Sequence, residues 1–108
     1  MLLSELLKQM IDLKASDIFV VAGLPLTYKV NGRQVRMEGE ALTPESTRTV
    51  VEAIYEIAGR DFSNFVEKDN LDEDFSFALP GIGRFRANVF RQRGSLSAVI
   101  RVDRKSVV

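Results

Sequence analysis

The 108-residue sequence contains no cysteine and no histidine. Without cysteine there is no disulfide, no thiol nucleophile and no thiolate metal site. Without histidine, imidazole acid/base chemistry and the commonest metal ligand are gone as well. Oxygen-ligated cations such as magnesium are what remains. Net charge is also missing: 15 Lys and Arg balance 15 Asp and Glu. No overall field therefore draws the chain to nucleic acid or to an anionic membrane, and any cationic function has to be local. No apolar run approaches the roughly 20 residues that cross a bilayer. The opening Met1-Leu2-Leu3-Ser4-Glu5-Leu6-Leu7-Lys8 is broken by Glu5 and Lys8 and has no basic lead-in, unlike a secretory signal. A glycine-rich phosphate loop is absent too, since Gly81 and Gly83 flank a turn and no Lys-Ser/Thr follows. These absences leave a cytoplasmic domain with a single core as the expectation.

What is present reads as an ordered succession of elements. Leu2, Leu3, Leu6, Leu7, Met10, Ile11 and Leu13 recur at helical spacing, with Ser4 as a cap. Asp17-Ile18-Phe19-Val20-Val21-Ala22 is a strand, and Leu26, Tyr28 and Val30 alternate in a second one. Asn31-Gly32 is a hairpin turn leading to a return strand over residues 33–37. Thr43-Pro44-Glu45 starts a helix with a hydroxyl cap, a proline at the first helical position and an early acid. Val50, Val51, Ile54, Ile57 and Ala58 form its buried face and Gly59 stops it. A short helix over residues 61–67 buries Phe62, Phe65 and Val66 and ends at residues 68–70. An acidic strand over residues 71–79 then leads through Pro80-Gly81-Ile82-Gly83 to a last hairpin. The order α-β-β-β-α-α-β-β-β predicts an α+β domain with helices on one face of an antiparallel sheet.

That last hairpin carries the distinctive chemistry. Side chains alternate along a strand, so Arg84, Arg86 and Asn88 share one face while Phe85, Ala87 and Val89 share the other. Guanidinium forks suit carboxylates and phosphates. Asp72 and Asp74 lie on a neighbouring strand, and cross-strand ion pairs with Arg84 and Arg86 are expected. An acid/base or magnesium role for Asp72, Glu73 and Asp74 is the competing assignment. Asp17, following Ser16, is expected to bond local backbone N–H groups.

Four segments together resemble the N-terminal, PAS-like domain of the type II/IV secretion-ATPase superfamily, most like the twitching-motility (PilT-type) pilus-retraction ATPases. They are Ala15-Ser16-Asp17-Ile18, the stretch from Ala22-Gly23-Leu24-Pro25 to Val30-Asn31-Gly32, Asp74-Phe75-Ser76-Phe77, and Arg84-Phe85-Arg86-Ala87-Asn88 with Gln92-Arg93-Gly94 and Arg101. One position departs: Phe19 stands where the family has histidine, so no role of that histidine carries over. The resemblance implies a PAS-like domain over residues 1–102, with residues 103–108 beginning a linker to a RecA-like ATPase domain beyond this chain. It implies a cytoplasmic homohexamer, peripheral at the inner face of the cell membrane, that uses ATP and Mg in the parent protein. Partners would be the chain's own ATPase domain, neighbouring subunits and pilus platform proteins, with no nucleic acid. Arg86 and Arg101 would face the nucleotide phosphates, with Arg84 and Arg93 as weaker matches. The domain itself would hold no cofactor, no metal and no catalytic residue, and would act in assembly and regulation. The alternative is a stand-alone PAS-like sensory or protein-interaction module. Whether Arg101 shares a face with Arg86 depends on a hairpin register that parity leaves open.

Overall fold

The computed structural model describes residues 3–67 and 72–103. Three helices, α1 (Leu3–Asp12), α2 (Pro44–Ala58) and α3 (Phe62–Glu67), accompany six strands. The strands are β1 (Asp17–Val20), β2 (Thr27–Val30), β3 (Arg33–Arg36), β4 (Asp72–Leu79), β5 (Gly83–Gln92) and β6 (Ser95–Asp103). The element order is the one expected from the sequence. Each group of three strands forms an antiparallel meander, and the two join through β1 and β6 into one sheet of order β3-β2-β1-β6-β5-β4. Every pairing is antiparallel.

Two-residue turns fix both hairpins nearest the arginines and the first meander. Asn31 and Gly32 have φ of 51° and 79°, and Arg93 and Gly94 have φ of 53° and 79°. Positive φ at both central positions gives the backbone twist that continues the twist of the strands. Glycine adopts it freely; an arginine there is strained by roughly 1 kcal/mol. The turn at Arg93-Gly94 therefore holds Gln92 opposite Ser95 and sets the register of everything beyond.

Helix α2 begins as its sequence dictates. The Thr43 hydroxyl accepts from Ser46 N–H while the Thr43 N–H donates to Ser46 Oγ, with Pro44 following. Gly59 closes it in the left-handed region, φ 69°. Its fully buried side chains are Thr47, Val51, Ile54 and Tyr55, so the stripe includes Tyr55, which apolar spacing alone does not mark. Val50, Ile57 and Ala58 sit at the stripe's edge, half-buried.

Two expectations for α1 need correction. The helix starts at Leu3, so Ser4 lies inside its first turn instead of capping it, and Leu3 is buried. Leu13 falls beyond the helix end and is exposed. The expected burial of Leu2 and Val66, the strand residue Leu71, the helix stop at residues 68–70 and the stretch after Asp103 lie outside the described residues or side chains.

The core lies between the helices and one face of the sheet. A row of facing residues crosses that face from β3 to β4: Val35, Tyr28, Ile18, Ile100, Ala87, Phe75. Ile18, Ile100 and Ala87 at its centre are fully buried. Phe77 stacks on Phe85, with ring centroids 5.3 Å apart. Tyr55 gathers Phe62, Phe65 and Phe75 around itself at 5.0–6.2 Å. The opposite face of the sheet carries the arginines.

Candidate functional site

On the open face the hairpin register answers the question parity left. Arg86 on β5 stands directly opposite Arg101 on β6. On the other side of Arg101 stands Asp17 on β1, and beyond it Lys29 on β2. A single transverse row therefore runs Gln34, Lys29, Asp17, Arg101, Arg86, Ser76 across all six strands. The next row on the same face reads Arg36, Thr27, Phe19, Val99, Asn88, Asp74. Phe19 thus sits on this same open face beside Val99, half-exposed.

Asp74, Arg86, Asn88, Val99 and Arg101 line a cleft of about 330 Å³ on this face. Like charges directly opposite each other destabilise a sheet. Here Asp74 reaches the pair from β4, while in the register Asp17 on β1 is the residue next to Arg101 on the other side. Asp74 Oδ1 accepts from Arg86 Nε at 3.1 Å, and the two side chains remain 49% and 65% exposed. Two guanidiniums and one carboxylate leave the cleft one net positive charge. Such a site can grip a carboxylate or phosphate oxygen by forked donors. Guanidinium stays protonated, so the pair supplies charge and hydrogen bonds but no proton transfer.

The remaining candidates fall elsewhere. Arg84 shares the face one step out, opposite Ala78 and Asp103. Arg93 sits in the turn, seven residues along β5 from Arg86, which at ~3.3 Å per residue is roughly 23 Å away. It borders a separate cleft with Gly23, Pro44, Gln92, Ser95 and Ser97. One phosphate chain does not span both places.

The acidic strand divides by parity. Asp72 lies opposite Phe90, not opposite an arginine, so the expected Asp72–Arg84 pair is replaced by register. Asp74 lies opposite Asn88 and reaches Arg86 diagonally. Glu73 points to the covered side, where it accepts from the Tyr55 hydroxyl at 2.6 Å and pairs with Arg60 at 3.3 Å. Burial, then the hydrogen bond and charge of Glu73, push the Tyr55 hydroxyl far above its ordinary value, with Arg60 opposing. Three carboxylates adjacent in sequence therefore never converge. Among the described residues no group of three or more Asp or Glu side chains is placed to hold a metal ion. Asp17 also departs from expectation. Among the described residues its carboxylate makes no local backbone hydrogen bond, and in the register the residue lies between Lys29 and Arg101.

The sequence singled out Arg86, Arg101 and Asn88, which the structure brings to one cleft, but gave no sign that Val99 lines it or that Asp17 and Lys29 continue the row from Arg101. The Arg93-Gly94 dipeptide was the available signal: read as a two-residue turn, it places residue 86 opposite 101 by counting back.

Known proteins resemble the chain in sequence and in fold. No family model matches it. It is 39% identical over 98 residues to the type IV pilus ATPase PilU of Pseudomonas aeruginosa, covering 90% of this chain and 24% of that one. It is 38% identical over 91 residues to the type IV pilus retraction ATPase PilT of the same organism, covering 81% of this chain and 24% of PilT. The chain superposes on a crystal structure of the pilus retraction motor PilT with bound ADP at a TM-score of 0.76 and 37% identity, over 94% of its own length and 29% of the motor. The chain belongs with the N-terminal domains of the PilT/PilU-type secretion ATPases. The Legionella pneumophila ATPase DotB shares the fold, at a TM-score of 0.70 and 22% identity over 92% of this chain and 27% of that one. The PAS-like α+β architecture inferred from the resemblance is thus the one observed. The chain spans about a quarter of the length of the curated relatives it matches. No helix among the described residues is long and apolar enough to cross a membrane.

Proposed function

We propose that this chain is the non-catalytic assembly and regulatory domain of a hexameric pilus-retraction ATPase. In that reading Arg86 and Arg101 face the phosphates of a nucleotide held by an adjoining RecA-like domain. The observation that carries it is the register: two arginines stand directly opposite each other on a sheet face that no helix among the described residues covers. A pair of like charges that costs stability where it stands is explained by an anion arriving between them. Residues 103–108 are then the start of the linker, and residues 1–102 the domain. ATP and Mg belong to the parent protein. This chain supplies cations toward the phosphates, while the metal and the attacking water are managed elsewhere. Neighbouring subunits and pilus platform proteins at the cytoplasmic face of the membrane are its partners in this scheme. Rigid-body movement between domains would change how far the arginine pair stands from the nucleotide, coupling hydrolysis to shape.

In the parent protein, Arg86→Ala and Arg101→Ala are each expected to lower steady-state ATPase turnover by a factor on the order of 10³, as for an arginine aimed at a transferring phosphoryl group. Each is expected to leave the melting temperature within a few degrees. Turnover that falls only in step with stability refutes the assignment.

A further inference from the structure

Asp74 lies on the wall of the same cleft as the arginine pair. Its Oδ1 accepts from Arg86 Nε at 3.1 Å, and its Oδ2 accepts from Arg86 Nη2 at 3.5 Å. The carboxylate therefore lies along the Nε–Nη2 edge of the guanidinium, the side-on edge by which arginine takes hold of either a carboxylate or a phosphate. The register does not impose this contact. Ser76 is the residue opposite Arg86, and Asp74 reaches across diagonally from its place opposite Asn88. Both partners are substantially exposed, and an exposed pair of this kind adds little to the fold. Arg101, by contrast, has no ion-pair partner among the described residues. One arginine of the pair is free and the other is already engaged by a group with the ligand's own chemistry.

We propose that Asp74 is a resident competitor, a carboxylate that occupies the Arg86 edge until a polyphosphate displaces it. The proposal rests on the reading of the cleft as phosphate-facing. A dissociated phosphate chain meets Arg101 first and then exchanges with Asp74 for Arg86. An anion of low charge gains too little from the second arginine to evict the carboxylate, whereas a triphosphate tail gains enough. Asp74 thereby sets a threshold on charge. Once displaced it stands beside the bound anion and repels it, which favours release after hydrolysis has reduced the charge.

The test is a titration of the 108-residue chain with inorganic tripolyphosphate, followed by NMR of the arginine Nε–Hε signals. Asp74→Asn keeps the side-chain shape and removes the competing charge. It is expected to tighten binding about three- to fivefold, the range set by an exposed ion pair. Asp72→Asn removes the same charge from the same strand face, two residues away and in no ion pair with an arginine among the described residues. Its effect is expected to stay below about twofold, the part due to long-range field alone. Equal gains from both substitutions, or no gain from Asp74→Asn, overturn the proposal while leaving the phosphate-facing cleft standing. Binding that is unchanged in Arg86→Gln and Arg101→Gln overturns the reading of the cleft itself, and the proposal with it.

Discussion

The two faces of the β5–β6 hairpin are built from alternate residues of the same two strands, yet they answer to different demands. Phe85, Ala87, Val89, Ala98 and Ile100 turn toward the helices and are all but sealed from water. Arg84, Arg86 and Arg101 turn the other way and are exposed. On the covered face each side chain is surrounded, and its removal leaves a void whose walls cannot close. On the open face water and counter-ions fill any gap. Stability should therefore be written on one face and, under the proposed function, phosphate contacts on the other. A substitution that moves both together would break the division.

The largest stability loss is expected for Phe85→Ala, which empties the stack on Phe77. A cost of ~3–5 kcal/mol follows from the loss of a buried aromatic, read as a lower midpoint in urea unfolding followed by circular dichroism. A cost below ~1 kcal/mol would mean that this face is less tightly packed than its burial indicates.

Tyr55→Phe comes next. It removes the hydroxyl that donates to Glu73 and leaves that acceptor to Arg60 alone, at a cost of ~1–3 kcal/mol. It also carries a pH signature whose sign is fixed. Because folding raises the Tyr55 pKa above its ordinary 10.0, its contribution is fully present below that value and is lost as pH climbs beyond it. Unfolding measured from neutral to strongly alkaline pH should show the native chain losing stability above about pH 10, and the Tyr55→Phe chain losing less. Parallel curves would place the alkaline sensitivity elsewhere.

The smallest effect is expected for Arg101→Ala in the isolated chain. Removing one of two facing like charges should change unfolding free energy by no more than ~1 kcal/mol, and in the stabilising direction if the pair repels. A large loss would show that the open face is part of the scaffold after all.

Much of this arrangement was legible in the residues because it is written in local chemistry. Asn31-Gly32, Thr43-Pro44 and Gly59 announce a turn, a helix start and a helix stop through backbone preferences that need no partner. Alternation in 84–89 separates the faces of β5 by itself. Contacts between distant segments were another matter. Nothing near Asp17 marks it as a neighbour of Arg101, and Tyr55 gives no hint that Glu73 will be its acceptor. Both pairings exist only once two meanders have joined and α2 has settled on the sheet. The register lay between these cases. It was encoded locally, at Arg93-Gly94, but arginine in a left-handed turn is an uncommon way to write it.

The joining of β1 to β6 has a further consequence, in the order of events as the chain folds. β6 is the last of the six strands in sequence and sits between β5 and β1 in space. The first meander and α2 can form from short-range contacts, but the middle of the sheet stays vacant until β6 arrives. Closing such a sequence-distant pairing is the slow, entropically costly step in a topology of this kind. Arg101 rides on that strand, between Asp17 and Arg86. The charged row is therefore completed in the same event that closes the sheet, and a chain stalled short of that event carries neither a finished core nor the two facing arginines. Amide exchange pulsed during refolding would see β1 and β6 gain protection together.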